Sequence, residues 1–454
     1  MAWLKLDPIT RRRWQRFTRI KRGYYSLWIL LIAMALAVLA PFLAESRALL
    51  VWHQGQIYFP TFQYLDMKTF GQAPPSAWDT GDIETEYFRL QREWQTEKTL
   101  YAQALHSGPQ DAAARAALAK RYPNRDNFVV MPLIPWNPYQ NDFWSNEILH
   151  EIQSELDAGR TDGAYRIALR DGLDELASKI RDGSLATLLK DPAKAANGKL
   201  SSLAQSGAVP SLQGLGGLPP SPIHWGRKHY LGTDSQGRDV ASRLLYGFRI
   251  SIFFALFLVI SGQIIGTAIG SLQGYLGGRF DILSQRLIEI LIAIPFLYVV
   301  IVVAALFQPG FWMLLGILAL FQWIGITFFM RTEMYREKTR EYCLAARSYG
   351  ASHLRIVFRH LLPNCLTPLV TFTPFAVVGA IFTLTGLDYL GYGLPAPTPS
   401  WGELIGQALQ AENRDKLWLT LAPFTVLTIT LVLVVFIGES VREAFDPKQY
   451  ARYE

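Results

Sequence analysis

Six uncharged apolar stretches constrain this chain more than anything else in it. They lie at 24–44, 250–278, 290–307, 307–330, 365–387 and 417–438. A helix needs roughly 20 apolar residues to cross a hydrocarbon core of about 30 Å. The third and fourth stretches form one uncharged block, 290–330, too long for a single crossing. Gln308, Pro309 and Gly310 break it as a tight turn. With half of the 454 residues hydrophobic, the chain reads as an all-α polytopic membrane protein. Its six transmembrane helices are expected at about 24–44, 250–272, 287–307, 311–331, 365–388 and 417–438.

Lysine and arginine set the orientation. Residues 1–23 hold eight of them (Lys5, Arg11, Arg12, Arg13, Arg16, Arg19, Lys21, Arg22) against Asp7. That predicts a cytoplasmic N-terminus. Counting spans then puts 279–289, the loop 332–364 and the tail 439–454 on the same side. Segment 331–364 fits, with seven basic residues against three glutamates. The first span follows a basic segment, as a signal peptide does. Its apolar run is longer than a signal h-region and "APFLAESRALL" is a weak cleavage site, so it is expected to stay as an anchor.

The formal charge of +7 is not a nucleic-acid signal: segment 45–220 has 21 acidic and 17 basic residues, so the positive charge lies on the inner face. Cys343 and Cys365 are the chain's two cysteines, so no disulfide holds the insert between the first two spans. No GxxxxGK[ST] loop occurs, so ATP is not bound here and energy has to come from a partner. His150-Glu151 starts like a zinc-protease helix, but Ser154 stands where the second histidine belongs. His224 and His229 read as surface or internally satisfied residues, so no metal site and no catalytic constellation is expected.

The insert, 45–247, has two aromatic strand- or loop-like pieces, 48–66 and 127–143, and two helical ones, 84–121 and 143–190. The first helical piece is interrupted at 107–111, and the Ala/Gly/Ser/Pro-rich stretch 191–222 reads as linker. Next comes "LGTDSQGRDVASRLLYGFRISI", 231–252. Gly232 and Gly237 flank a turn in which Asp234 or Ser235 can bond backbone amides. Val240, Leu244, Leu245 and Phe248 then recur at helical spacing among Arg238, Arg243 and Arg249. This predicts an amphipathic approach helix at 238–249, lying at the interface.

That motif resembles LGTDxxGRDVxSRxxYGxRxSL of the C-type permease subunits of dipeptide and oligopeptide ABC importers. The likeness continues through "GYLGGRFD" (274–281), "EYCLAARSYGASHLRIVFRHLLPN" (341–364) and "LDYLGYGLPAPTPSWGELI" (387–405), and covers 229–447. The aromatic N-terminal segments and "FIGESVREAFDP" (436–447) resemble the YejE-type branch, which takes up oligopeptides and peptide-nucleotides of the microcin C kind. Against that branch, 143–220 looks like an added block. The resemblance implies a type-1 ABC importer core at 248–438, and it implies the partners: a homologous second permease, ABC ATPase subunits carrying ATP and magnesium, a periplasmic peptide-binding protein and membrane lipid. It implies no nucleic acid, no cofactor in this chain and a bacterial inner-membrane location.

The resemblance also assigns residues. Segment 341–364 is similar to the EAA loop, which docks on the ATPase: Ala345, Ala346 and Gly350 match its first half, Leu362 and Pro363 its end. Leu344 stands at the glutamate position and His360 at the isoleucine position. Gly350 can take the positive φ that ends a helix, Ser352 can cap a second short one that Pro363 stops, and Ala351 and Arg355 lie between. Family positions before the second span are Gly232, Thr233, Asp234, Gly237, Arg238 and Asp239. Before the sixth they are Gly391, Gly393, Pro399, Ser400, Trp401 and Gly402. Inside the spans, Glu289 and Asp388 lie at ends and Gln263, Gln273 and Gln322 are neutral, which disfavours ion-coupled transport. Pro295, Pro368, Pro374 and Gly379 read equally as kinks or as ordinary packing. Phe321, Trp323, Phe328 and Phe329 read as lipid or helix contacts.

Overall fold

The computed structural model describes residues 8–72, 84–107, 112–142, 144–171, 173–191, 195, 198–206, 209, 212 and 219–445. The first seven residues, with Lys5 and Asp7, and the tail from 446 lie outside the described residues. The chain forms two compact units. One takes in residues up to Ala37, Tyr246–Gly406 and the chain from Pro423; the other takes in Val38–Leu245 and Gln407–Ala422. The membrane unit opens with α1 (Pro8–Arg19) and α2 (Lys21–Val38).

The insert unit starts with α3 (Ala40–Leu43). Both aromatic pieces contribute to a three-stranded antiparallel sheet, ordered β2–β1–β3, of β1 (Leu50–His53), β2 (Gln56–Tyr58) and β3 (Phe128–Val130). Then come α4 (Tyr87–Ser107) and α5 (Ala112–Arg121). Tyr87, Leu90 and Trp94 on α4 pack with Val51, Val129 and Trp136. Residues 108–111 of the expected helix break lie outside the described residues. The helical piece 143–190 resolves into α6 (Trp144–Asp157), α7 (Thr161–Arg170), α8 (Asp174–Arg181) and α9 (Ser184–Lys190).

Where a linker was expected, the described residues carry core. α10 (Leu200–Ser206) buries Leu200, Leu203 and Ala204, and Ala195, Val209 and Leu212 are buried with them against Ile152, Leu176 and Ile180. Small residues dominate the stretch, but its leucines and valine at 200, 203, 209 and 212 are buried together. Leu203 is fully buried, so Leu203→Ala is expected to cost about 2–5 kcal/mol through lost transfer energy and a cavity. A linker residue would cost less than about 0.5 kcal/mol. Urea titration of the purified protein, read by protease cleavage within 143–220, separates the two.

The second span is α11 (Val240–Leu276), one helix of 37 residues and about 55 Å long. The expected interfacial approach helix therefore does not exist as a separate element; 240–249 are the first turns of α11. The third span is broken. α12 (Gly278–Ala293) and α13 (Phe296–Phe307) meet at 64°, because Pro295 lacks the amide that would continue the ladder and its ring clashes with the preceding turn. After the turn at 308–310 come α14 (Phe311–Glu337), α15 (Glu341–Ser348), α16 (His353–Arg355), α17 (Leu366–Tyr389), α18 (Trp401–Ala408) and α19 (Leu417–Phe445). Among the described residues, five long apolar helices, with the bent pair as one more, make six candidate spans.

Within the membrane unit, α11 meets α14 along Gly262, Gly266, Gly270 and Gly274. A Cβ on Gly270 would stand 2.5 Å from Thr327 O, and one on Gly274 2.5 Å from Arg331 O. Small residues every fourth position let two backbones approach, which is how helices associate where lipid gives no hydrophobic drive. Gly23 of α2 lies against Ser440 of α19, and Arg22 pairs with Glu439 at 3.3 Å. The start of the first span and the end of the last are therefore on one side.

Candidate functional site

The loop after α14 is built in two halves with opposite faces. α15 ends where Gly350 takes φ +76° and Ala351 N donates to Ala346 O at 3.1 Å. A side chain at 350 would meet no neighbour, so glycine is needed there for its backbone conformation. Ser352 Oγ caps the next helix, accepting from Arg355 N at 3.4 Å. The helix then widens into a π-turn, Ile356–Leu361, where Leu362 N donates to Val357 O at 2.8 Å. Pro363 follows at the exit, exposed.

One face is locked. Cys343, Ile356, Val357, Leu361 and Cys365 are buried with Met330 and Met334, and Ala346, Ala351 and Leu362 pack against them. Burial pushes the Cys343 thiol up, so it is inert filler here. Tyr275 OH meets His353 Nδ1 at 2.6 Å, Tyr342 OH donates to Glu337 Oε2 at 2.9 Å, and Lys338 Nζ donates to Gly274 O at 2.7 Å. Asp281 accepts from Arg331 and Tyr335 at 2.6 Å. The conspicuous "GYLGGRFD" thus ties the start of α12 and the end of α11 to the last turns of α14. The other face is open. Leu344 is 52% exposed and Tyr349 91%, among the exposed Ala345, Arg347 and Arg355. Leu354 and Phe358, also exposed, line an apolar groove of about 510 Å³ with α11 and α17.

The motif before the second span is a buried knot, not an interfacial face. Arg238 and Arg243 are fully buried. Asp234 accepts from Arg238 Nε at 2.8 Å and from the amides of Gln236 and Arg238, and Arg243 lies 3.5 Å away. Burying an arginine this way is tolerated because its carboxylate is buried with it. Ser235, the alternative turn residue, instead accepts from Asn413 at 3.1 Å. Thr233 closes onto Ser221, accepting from its amide at 2.8 Å, Gly237 touches the backbone of Asp142, and Gly232 faces Trp418. Asp239 caps α11 through Ser242 N at 2.7 Å.

Asp239 also holds His229 Nδ1 at 2.8 Å, while Nε2 meets Asp142 at 3.0 Å and Arg227 pairs with Asp142 at 3.0 Å. His229 is thus satisfied by partners distant in sequence. Burial opposes its charge, but the hydrogen bonds to Asp142 and Asp239 outweigh it and hold the imidazole above its ordinary value. Burial likewise pushes on Asp142, and Arg227 and His229 hold it below the usual carboxylate range. His224, by contrast, is pushed down to about 4 by burial and then by Arg227, so it stays neutral above pH 6.5. Because His229 is raised when folded, its stabilisation is complete below about pH 6.5. It is lost as pH rises through the folded value. His229→Gln is expected to cost about 3 kcal/mol at pH 6 and to remove this alkaline decline, measured by thermal unfolding at pH 6 and pH 9.

Before α19, Asp388 gathers the third motif. It accepts from Ser400 Oγ and from Leu394 N, the latter at 2.7 Å. Gly393 and Gly402 leave no room for a side chain beside it, and Gly391 turns the chain at φ +79°. Ser400 Oγ accepts from Gly402 N at 3.1 Å, and Trp401, buried, lies against Gly247 and Phe248 beside Pro399.

Residues 266–449 match the family profile described as "Binding-protein-dependent transport system inner membrane component". The chain is 34% identical over 447 residues to a peptidoglycan transport system permease protein, YejE, of Agrobacterium fabrum, covering 98% of this chain and 95% of that one. It belongs to the binding-protein-dependent ABC transporter permeases. The Escherichia coli inner membrane ABC transporter permease protein YejE is 31% identical over 445 residues, 98% of this chain and 99% of its own. The dipeptide permease DppC of Bacillus subtilis is 35% identical over 231 residues, 51% of this chain and 71% of that one.

As a member, the chain is a multi-pass inner-membrane permease subunit, not itself an enzyme, and works with an ATPase and a binding protein. Sequence reasoning missed the anchoring contacts of Tyr275, Lys338 and Asp281 and the exposed Tyr349. Tyr275 and Asp281 stand in the conspicuous "GYLGGRFD", but spacing does not say which helix they reach.

Proposed function

We propose that this permease is one half of a heterodimer, paired with a homologous permease, in an importer of oligopeptides driven by separate ATPase chains that hold ATP and magnesium. The open face of α15, Leu344 and Tyr349 on a basic rim, carries the reading. An apolar patch on a loop whose other face is fixed to two spans suits transmission of a partner's movement into the membrane. Leu344, Ala345, Ala346, Gly350, Ala351, Ser352, Arg355, Leu362 and Pro363 form that coupling element. The chain itself holds no cofactor. Its cytoplasmic termini and loop are supported by the basic residues of α1 and by the pairing of Arg22 with Glu439 on one side.

The insert receives the loaded binding protein, and the knots at 232–239 and 391–402 hold the segments that lead into the second and sixth spans. Cargo is peptidic: relatives are named for dipeptides, oligopeptides and peptidoglycan, and peptide-nucleotides of the microcin C kind share the same backbone. Liposomes holding this chain, the homologous permease, the ATPases and the binding protein should take up labelled peptide only with ATP. Uptake that persists without ATP, or none at all, contradicts the reading.

A further inference from the structure

Two neutral amides line one cavity in the middle of the spans. Gln263 on α11 and Gln322 on α14 face a space of about 220 Å³, walled by Phe329, Phe372 and Phe375. Gln322 lies 11 residues from Phe311 at the start of α14 and 9 from Arg331. At 1.5 Å per residue these are about 16 Å and about 13 Å, close to the midplane of a core of about 30 Å.

The amides are fixed but incompletely used. Gln263 Nε2 donates to Thr373 Oγ1 at 2.6 Å, and that hydroxyl donates on to Leu369 O at 2.7 Å. Gly262 lies against Gln322, where a Cβ would stand 2.7 Å from Cγ. Among the described residues no hydrogen bond reaches Gln263 Oε1 or the Gln322 amide. An amide left unpaired in an apolar medium costs roughly 2–7 kcal/mol, and polar groups at this depth are kept for function. The cavity far exceeds the roughly 15 Å³ that a water needs, so it has room for a polar group to reach the amides.

A primary amide donates and accepts at once, as the peptide bond does. No acid or base lines the cavity, so nothing there reads the charge of a side chain. The Phe329 and Phe372 rings, 4.3 Å apart at 30°, give an apolar wall for side chains to slide on. We propose that Gln263 and Gln322 form a station that hydrogen-bonds the backbone of a peptide in transit, whatever its side-chain charge. This rests on the importer reading above.

Gln263→Met together with Gln322→Met keeps the side chains' length and removes both amides. In the reconstituted complex, uptake of an acidic, a basic and a neutral peptide should fall alike, by about tenfold or more. ATP hydrolysis stimulated by the loaded binding protein should stay within about twofold, which also shows that the variant folds and assembles. In a second variant, Ala376→Cys, the new thiol lines the cavity while native Cys343 and Cys365 are buried. A small charged thiol reagent should label it, and peptide transported during ATP turnover should slow the labelling severalfold. Wild-type uptake by the double variant, or labelling that ignores peptide, overturns the station alone. A wild-type complex that imports no peptide overturns the importer reading as well.

Discussion

Replacing both Leu344 and Tyr349 by aspartate is expected to leave an inserted, folded permease that no longer drives uptake. Both side chains are largely exposed, so the free chain loses little. Hot-spot residues, the few near the centre of an interface that dominate it, cost about 2 kcal/mol or more when truncated. Two of them, at 1.4 kcal/mol per tenfold, amount to about a thousandfold in affinity for the ATPase. Placing carboxylates on a docking patch adds desolvation to that loss. The measurement is retention of the ATPase chains on the purified permease, together with peptide uptake. Retention and uptake near wild type would move the docking face elsewhere.

Gly270→Val should act the opposite way, removing folded protein while touching no partner surface. Its new Cβ would stand 2.5 Å from Thr327 O and 2.9 Å from Met330 Cβ, and a backbone oxygen cannot step aside as a rotamer can. Overpacking costs about 1–3 kcal/mol even in cores that repack, and this crossing has no other route to close approach. The yield of monodisperse protein in detergent should fall severalfold. Gly316→Val on α14, where a Cβ meets nothing within 4 Å, should behave as wild type. Equal yields for the two would mean that α11 and α14 do not meet at Gly270.

What was legible in the sequence follows from what each feature needs. Pro295 reads equally as a kink or as packing, since a proline does not always break a helix: Pro374 sits inside the unbroken α17. The spans, by contrast, show themselves because lipid demands long uncharged helices, a requirement each stretch meets by itself. Gly350 and Ser352 were legible for the same reason: a positive φ and a helix cap are local requirements. Arg238 and Arg243 read as part of an amphipathic helix lying at the interface, because charge pattern speaks only to a helix's own face. Their burial depends on Asp234 being buried with them. His229 finds Asp142, 87 positions away, a pairing that no spacing announces. Stretch 191–222 hid a core because alanine, glycine and serine outnumber the leucines that close it. The glycines at 262, 266, 270 and 274 were visible at intervals of four, but spacing alone does not say which helix comes close.

The most direct test of coupling through 341–364 is a photocrosslink from position 349 in the assembled transporter, with Tyr349→p-benzoylphenylalanine. Irradiation should join the permease to an ATPase chain, in a yield that changes when ATP is bound. Adducts with lipid alone, or none with any ATPase in a complex that still transports, would contradict the loop as the site where ATP hydrolysis reaches the membrane.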